Sequence, residues 1–156
     1  ARAKTMRQPA PPDAALAAVE LIRSDGPKDF PNTAEMIQRL QAAMSDDVGP
    51  LRNQEGLTRA LSSIDALTVG LGERPFGPGG RFDMVRLDWF DLRNMLLVAR
   101  TVALAALART ESRGAHQRED HPGMLPQWRV NQGVRMKDKS ITLTKTPASP
   151  LEVAAQ

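Results

Sequence analysis

The sequence contains no cysteine, which excludes disulfide bonds, thiolate zinc sites, iron–sulfur ligation by this chain and a cysteine nucleophile. Aromatic residues make up only 4% of its 156 residues. The core must therefore be built from Leu, Ala, Val, Ile and Met, and Ala and Leu favour helices. No apolar run reaches the roughly 18–20 residues of a transmembrane helix. The longest one, Met95–Leu107, is interrupted by Arg100, so we predict no direct membrane insertion.

The charge of the chain is mildly basic but evenly distributed. The formal net charge is +3 and the sequence pI is about 9.8, and Lys and Arg alternate with Asp and Glu along most of the chain. Nucleic-acid-binding proteins concentrate basic residues on one face. The pattern therefore argues against a nucleic-acid partner. The chain begins with Ala1 rather than Met, and we expect it to be a piece of a longer protein.

Two apolar patterns of helical period follow a short first helix, which we predict over residues 14–23 with Asp13 as its cap. Asn32 and Glu35 have the spacing of a capping box at the start of the second helix. A third helix is predicted over residues 54–71. The apolar stripes are Met36, Ile37, Leu40, Met44 and Val48 in the second helix, and Leu57, Leu61, Ile64, Leu67 and Leu71 in the third.

The longest predicted helix runs from Met84 to Ser112, with Gly114 as a left-handed cap after its end. We assign Leu87, Phe90, Met95, Val98, Val102 and Leu107 to its inner side. Five further residues widen the apolar face, namely Leu92, Leu96, Ala99, Ala103 and Ala106. A helix that is apolar around much of its circumference must be covered on more than one side.

These patterns predict an all-α fold, a bundle of three main helices followed by a short C-terminal β-hairpin. We divide the chain into an N-terminal linker with a short helix (1–31), the bundle (32–114) and an extended tail (115–156). Period-two alternation predicts two strands that meet around Lys137–Lys139, with a disordered end over residues 146–156. The glycine-rich connection 72–80 has the spacing of neither a phosphate-binding loop nor a dinucleotide fingerprint, and we expect it to be flexible.

Ionisable residues are concentrated in one segment, RTESRGAHQREDHP, at Arg109–Pro122. A metal site there would use His116, Glu119, Asp120 and His121. However, the two histidines lack the i, i+4 spacing of a helical zinc site, and Arg118 would repel a cation.

Two other functional interpretations of this segment have less support than a structural role. A hydrolase would need Ser112, His116 and Asp120 to converge, and nucleophile, base and orienting acid normally come from distant segments. A DNA site would rely on Arg109, Arg113 and Arg118, which neighbouring carboxylates largely neutralise. The remaining interpretation is a structural clamp, because arginine forks paired with carboxylates suit oriented contacts with another polypeptide surface.

The segment ESRGAHQRED, residues 111–120, resembles the E-S-R-G-A-H-x-R-x-D motif near the end of flavoprotein subunits of succinate dehydrogenase and fumarate reductase. L-aspartate oxidase has a similar E-S-R-G segment. The resemblance extends upstream through RLDWFDLRNMLLVARTVALAALART and MSDDVGPLRNQEGLTRALSSIDAL. It extends downstream to Trp128 and the strand ending in ITLTKTP, and so covers about residues 30–147.

The resemblance implies the C-terminal helical domain of such a subunit, with the topology of a spectrin repeat. The parent enzyme would interconvert succinate and fumarate through FAD and pass electrons to an iron–sulfur subunit, at the cytoplasmic face of the inner membrane. A paralogue acting on another substrate could share this domain.

The family's flavin-binding and substrate-binding motifs have no counterpart in this chain, so the resemblance implies no catalytic, cofactor or metal residue here and an inactive fragment. It implies that one set of residues anchors the domain on the FAD-binding domain of the same chain or on a neighbouring subunit: Arg109, Glu111, Ser112, Arg113, His116, Arg118 and Asp120. The alternative is a free-standing helical adaptor that binds a protein partner through its longest helix.

Overall fold

A computed structural model describes residues 12–23, 25–79, 82–138 and 140–148. Its helices are α1 (Pro12–Arg23), α2 (Thr33–Asp47), α3 (Gln54–Leu71) and α4 (Met84–Ala108). Its strands are β1 (Leu51–Arg52), β2 (Gln117–Arg118), β3 (Val130–Lys137) and β4 (Ser140–Pro147), and a 3-10 turn lies at Pro126–Trp128. The predictions of a largely helical chain and a C-terminal hairpin are therefore confirmed.

Side-chain caps start three of the helices, and those of α2 and α3 are asparagines. The Oδ1 atom of Asn32 accepts from the amides of Ala34 and Glu35 at 3.1 and 3.3 Å, and Asn53 accepts from the amide of Gly56 at 2.9 Å. Such caps bind amide groups that have no partner within the helix.

The predicted cap of α1 is wrong, because α1 begins at Pro12 and Asp13 lies inside its first turn. Proline suits a first helical position, where its missing amide proton is not needed.

Helices α2, α3 and α4 contact one another pairwise and share one apolar core. The most deeply buried side chains include Leu57, Ile64 and Leu92. Each such side chain contributes about 1.5–3 kcal/mol by leaving water. The predicted stripes of α2 and α3 lie on this core, either buried or partly buried against it.

The inner side of α4 differs from the predicted one. Leu87, Val98 and Val102 are 48%, 61% and 42% exposed, although Phe90, Met95 and Leu107 pack against the core. The small alanines on the buried stripe allow the backbones of neighbouring helices to approach closely. The prediction failed because helical periodicity allows more than one apolar stripe on α4, and it placed the wrong one inward. The buried stripe consists of Trp89, Leu92, Leu96, Ala99, Ala103 and Ala106, at spacings of three and four.

The end of α4 also differs from the prediction. The helix stops at Ala108, and Arg109 has extended backbone angles (φ −88°, ψ 105°). Gly114 does have a positive φ of +58°, but it lies in a separate turn where Arg113 and His116 exchange backbone hydrogen bonds. Between the helix end and this turn, the side chains of Glu111 and Ser112 are buried and form hydrogen bonds with backbone amides.

Strands β3 and β4 form an antiparallel hairpin in which Val130 pairs with Pro147 and Lys137 with Ser140. The prediction that disorder begins at residue 146 is wrong for Thr146 and Pro147, which belong to β4. Residues 149–156 lie outside the described part of the chain, as do residues 1–11 of the predicted linker.

The connection between α3 and α4 is anchored to the bundle. Pro75 and Phe76 are buried, and the guanidinium of Arg86 donates to the carbonyl oxygens of Phe76 at 3.3 Å and Gly77 at 3.0 Å. It also donates to the carbonyl oxygen of Ile22 at the end of α1. Part of this connection is therefore held by specific contacts, and the expectation that it is flexible stays a prediction.

Candidate functional site

The 109–121 cluster, defined as residues Arg109–His121, lies where the C-terminus of α4 meets the N-terminus of α3. Strand β2 within it pairs in parallel with β1, just before α3. Gln117 donates its amide to the carbonyl of Pro50 at 3.0 Å, and Glu119 donates its amide to that of Arg52 at 2.9 Å. This short ladder holds the cluster against the loop between α2 and α3.

Arg118 is the most buried charged residue of the cluster after Glu111, with 1% of its surface exposed. Its Nη1 atom donates to the carbonyl oxygens of Ala106 and Leu107 at 3.1 Å and of Arg109 at 3.2 Å. The last carbonyls of a helix have no partner inside it and carry partial negative charge. The guanidinium therefore caps α4 at its C-terminus.

The opposite edge of Arg118 binds the carboxylate of Asp120. The Nε and Nη2 atoms each lie 2.7 Å from a carboxylate oxygen, a bidentate pair. Asp120 also accepts a hydrogen bond at 2.9 Å from the amide of Gln54, which is the first residue of α3. Hydrogen bonding to Arg118 lowers the pKa of Asp120. The pair thus places a cation at the negative end of α4 and an anion at the positive end of α3.

Glu111 is fully buried and accepts hydrogen bonds from three groups. Arg113 donates through Nε at 2.8 Å and Nη2 at 3.2 Å, Arg109 donates through Nη1, and the amide of Leu125 lies 2.8 Å away. The hydrogen bonds from Arg113 are the largest cause of a fall in the pKa of Glu111 from 4.5 to about 2. Glu111 is therefore a charged anchor and does not exchange protons near neutral pH.

Arg109 connects the cluster to the hairpin. Its Nη2 atom donates to the carbonyl oxygen of Val130 at 2.9 Å, and its Nε atom donates to the side chain of Gln132 at 3.3 Å. Its guanidinium also lies 5.2 Å from the ring centre of Trp128, within the range of a cation–π contact. The Nζ atom of Lys145 lies 3.5 Å from the same ring centre, so β4 is tied to the same tryptophan.

The hydroxyl of Ser112 is committed to the backbone. It accepts from the amide of Arg118 at 2.8 Å and lies 3.1 and 3.0 Å from the carbonyl oxygens of Arg118 and His121. A nucleophilic serine needs a base beside its oxygen. Here the hydroxyl closes a loop, so the geometry gives the hydrolase interpretation no support.

His116 is half-buried, and its Nε2 atom lies 3.2 Å from the carbonyl oxygen of Arg109. Because a carbonyl can only accept, Nε2 carries the proton. Burial is the largest cause of a lowered pKa of His116, and the charges of Arg52, Arg109 and Arg118 lower it further. The ring is therefore neutral at pH 7, and Nδ1 is its unprotonated nitrogen. Within the described ranges, no three His, Asp or Glu side chains converge as metal ligands.

A family model described as "Fumarate reductase flavoprotein C-term" matches residues 37–153. This range includes nearly all of the three core helices, the 109–121 cluster and the hairpin. The chain belongs to this family. The resemblance recognised from the motif at residues 111–120 is thereby confirmed.

Relatives of the flavoprotein C-terminal family show the same relationship. The chain is 40% identical over 96 residues to a fumarate reductase (CoM/CoB) subunit of Methanothermobacter marburgensis, covering 62% of this chain and 18% of that protein. It is 32% identical over 112 residues to the succinate dehydrogenase flavoprotein subunit of Coxiella burnetii, covering 71% and 19%.

A solved structure, Mycobacterium smegmatis Sdh1 in complex with UQ1, contains a chain with the same fold as this family member. The TM-score is 0.73 at 32% identity, covering 96% of this chain and 26% of that one. The chain therefore spans about a fifth to a quarter of the length of these relatives. Among the described residues, no helix has both the length and the apolar character required to cross a membrane.

The fold brings together all seven predicted site residues of this flavoprotein C-terminal domain. Arg109, Glu111 and Arg113 form one ion group, and Arg118 and Asp120 form another. The sequence did not predict that most of their partners are helix termini and hairpin carbonyls of the same domain. Arg86, a second buried arginine, was missed because its bonds to backbone carbonyls leave no side-chain signal in the sequence.

Proposed function

We propose that this chain is a structural C-terminal domain of an FAD-dependent succinate dehydrogenase or fumarate reductase flavoprotein, without catalytic activity of its own. In this proposal α2, α3 and α4 form a three-helix bundle of spectrin-like topology that joins the FAD-binding domain of the same parent chain. The observation that carries it is the 109–121 cluster. In this cluster the residues of the family motif form hydrogen bonds with backbone groups of the same domain and with one another.

The contacts of the cluster support a non-catalytic role. The hydroxyl of Ser112 and the carboxylates of Glu111 and Asp120 are occupied by hydrogen bonds within the domain. Lowered pKa values keep both carboxylates ionised at neutral pH. A general acid or base works best with a pKa near the working pH. Neither carboxylate meets that requirement.

Among the described residues, neither the glycine spacing nor the cleft beside the 109–121 cluster suits FAD. The glycines of the described segment 72–79 have no dinucleotide-binding spacing, and the cleft beside the 109–121 cluster is open and much smaller than a flavin dinucleotide. FAD would therefore be held by another part of the parent protein, and we derive no flavin step through these residues.

A joint with another surface is supported by the groups that remain accessible. Arg113 has 40% of its side chain exposed. On α4, Leu87, Val98 and Val102 are exposed apolar residues that the core does not use. Apolar residues and arginine are both common in protein interfaces. We place the FAD-binding domain over these groups.

The parent activity is inferred from the relatives. One of them is part of a fumarate reductase, and another is the flavoprotein of a succinate dehydrogenase. We propose that the parent interconverts succinate and fumarate, passes electrons to an iron–sulfur subunit, and is located at the cytoplasmic face of the inner membrane. A free-standing adaptor would also use an exposed face of α4, but it does not explain the family match over residues 37–153.

The test is the size and colour of the native protein. An antibody to this chain should detect a band several times larger than 17.0 kDa in the source cells, and the protein it captures should absorb as a flavoprotein. The 156-residue chain, purified alone, should show no flavin absorbance. A native band at 17 kDa would contradict the proposal and favour the adaptor. Flavin bound by the short chain would contradict the non-catalytic role.

A further inference from the structure

A cleft of about 310 Å³ opens between the 109–121 cluster and the first residues of the hairpin. Three arginines line it, Arg109, Arg113 and Arg129, together with Trp128 and Asn131. None of the residues that line the cleft is acidic. Ligand sites commonly begin at about this volume and combine an apolar wall with a few polar groups.

A neighbouring carboxylate neutralises only part of the positive charge of this cleft. Glu111 is paired with two of these arginines, and its oxygens accept from Arg109, Arg113 and the amide of Leu125. Counting three arginines against this one carboxylate leaves an excess of two positive charges. His116 adds none at neutral pH, because burial and the neighbouring arginines lower its pKa. The cleft therefore attracts an anion.

One hydrogen-bonding edge of the Arg113 guanidinium has no partner among the described residues. A guanidinium can bind one carboxylate through Nε and one terminal nitrogen, and a second through its two terminal nitrogens. Glu111 occupies the first edge, at 2.8 Å from Nε and 3.2 Å from Nη2. In the described part of the chain no partner of Nη1 is found, and 40% of the Arg113 side chain is exposed.

Arg129 and Asn131 supply further donors. Arg129 is exposed, and its backbone carbonyl accepts the amide of Ala148, which fixes the main chain at the rim of the cleft. Among the described residues the side chains of Arg129 and Asn131 have no hydrogen-bond partner. Trp128, whose Nε1 atom donates to the hydroxyl of Thr110 at 3.0 Å, lines the same cleft.

We propose that this cleft is a receptor for a carboxylate group, bound by the second edge of Arg113 together with Arg129 and Asn131. The planar fork of arginine matches the two oxygens of a carboxylate, as the buried pair with Glu111 already does on the other edge. The inference rests on the proposed function in one respect, the source of the carboxylate. That source would be an Asp or Glu side chain on the surface that packs against this domain. A free small carboxylate is the other source.

The test is a titration of the ¹⁵N-labelled 156-residue chain followed by NMR at low ionic strength. One arm uses the capped peptide acetyl-Gly-Glu-Gly-amide, which carries a single carboxylate, and the other uses sodium acetate. Both should shift the Nε–H signals of Arg113 and Arg129 and the side-chain amide of Asn131. The peptide should bind more tightly if the source is a polypeptide, and acetate should match it if the source is a small molecule.

Two variants and one internal control make the titration decisive. Arg129→Gln and Arg113→Gln should each weaken binding by about threefold or more, as expected when one charge of a partly exposed pair is lost. Arg129 is the safer site, because its side chain has no contact that the fold needs among the described residues. Arg135, exposed on β3, should not respond.

Equal shifts at Arg135 would reveal nonspecific charge attraction and overturn the inference. So would an absence of shifts in the cleft at millimolar peptide and acetate. Neither result would affect the native size and flavin content that test the proposed function. The two proposals therefore fail separately.

Discussion

Two buried arginines hold the opposite ends of α4, and they do so in different ways. Arg86, in the first turn, is 6% exposed and donates to carbonyls of the connecting segment and of α1. Arg118 reaches the last turn from outside the helix, donates to three carbonyls there and pairs with Asp120 at 2.7 Å. The carboxylate of Asp83 lies 3.8 Å from Arg86, a looser ion pair.

The two arginines differ in the parts of the fold that they join. Arg86 fixes a loop to a helix, and Asp83 supports it mainly by accepting the amides of Gly79 at 2.8 Å and Arg86 at 3.1 Å. Arg118 and Asp120 join the ends of two core helices and satisfy groups that would otherwise be buried without partners. Removing a partner from such a buried pair is costly, because an uncompensated charge and unpaired carbonyls remain.

The largest effect is therefore expected at Arg118. Arg118→Ala should lower the free energy of unfolding by about 3–5 kcal/mol, the usual cost of breaking a buried ion pair. Urea unfolding followed by circular dichroism at pH 7 measures it. Arg135→Ala, on the exposed hairpin, is the matched control and should change stability by less than about 0.5 kcal/mol. A loss at Arg118 no greater than at Arg135 would show that the clamp is not needed.

Arg86→Ala should cost less, about 2–3 kcal/mol, since it removes charged hydrogen bonds to carbonyls of a loop that can partly rearrange towards water. Hydrogen exchange should locate the loss in residues 72–79, while the Arg118 variant should open the ends of α3 and α4. If Arg86→Ala proves more destabilising than Arg118→Ala, the ranking of the two ends is wrong.

Acid should act through Glu111. Its pKa falls from 4.5 to about 2 on folding, so its contribution is complete above about pH 5 and is lost as the pH falls towards 2. Glu111→Gln should cost about 2 kcal/mol at pH 7, typical of hydrogen bonds to a charged group. The difference between the two proteins should shrink with acidification in urea titrations at successive pH values. A difference that stays constant from about pH 7 to about pH 2.5 would rule out this linkage.

The smallest effects on stability are expected for substitutions at two glycines with positive φ. A Cβ at Gly77 (φ +86°) would overlap the Asp83 carboxylate, whereas one at Gly114 (φ +58°) meets nothing within 4 Å. Gly114→Ala should cost about 1 kcal/mol through backbone conformation alone. Gly77→Ala should cost more, because Asp83 must also move. Equal melting temperatures for the two variants would contradict the close packing at the Arg86 end.

The two ends also differed in how far they could be predicted from the sequence. The side chains of the Arg118 end lie together in one motif, and their charge pattern indicated a structural clamp. The sequence assigned that clamp to another polypeptide surface, whereas the contacts seen here join helix ends of this chain. No such pattern marks Arg86, which donates to the backbone oxygens of Phe76, Gly77 and Ile22, and a backbone acceptor leaves no mark in the side-chain sequence. The inner face of α4 was misassigned for a related reason: helical periodicity allowed several stripes, and side-chain size does not decide which one is buried.

The sequence by itself determined the helix-rich class, the bounds of α3, the hairpin and the family motif, because these depend on short-range periodicity, caps and residue identity. Only the tertiary structure decided that α4 ends at Ala108 and that Leu87, Val98 and Val102 remain exposed. It also decided that Arg118 spans two helix termini. Those outcomes depend on which backbone groups and apolar faces meet across the chain, and the free energy of such contacts is defined only once the helices have packed.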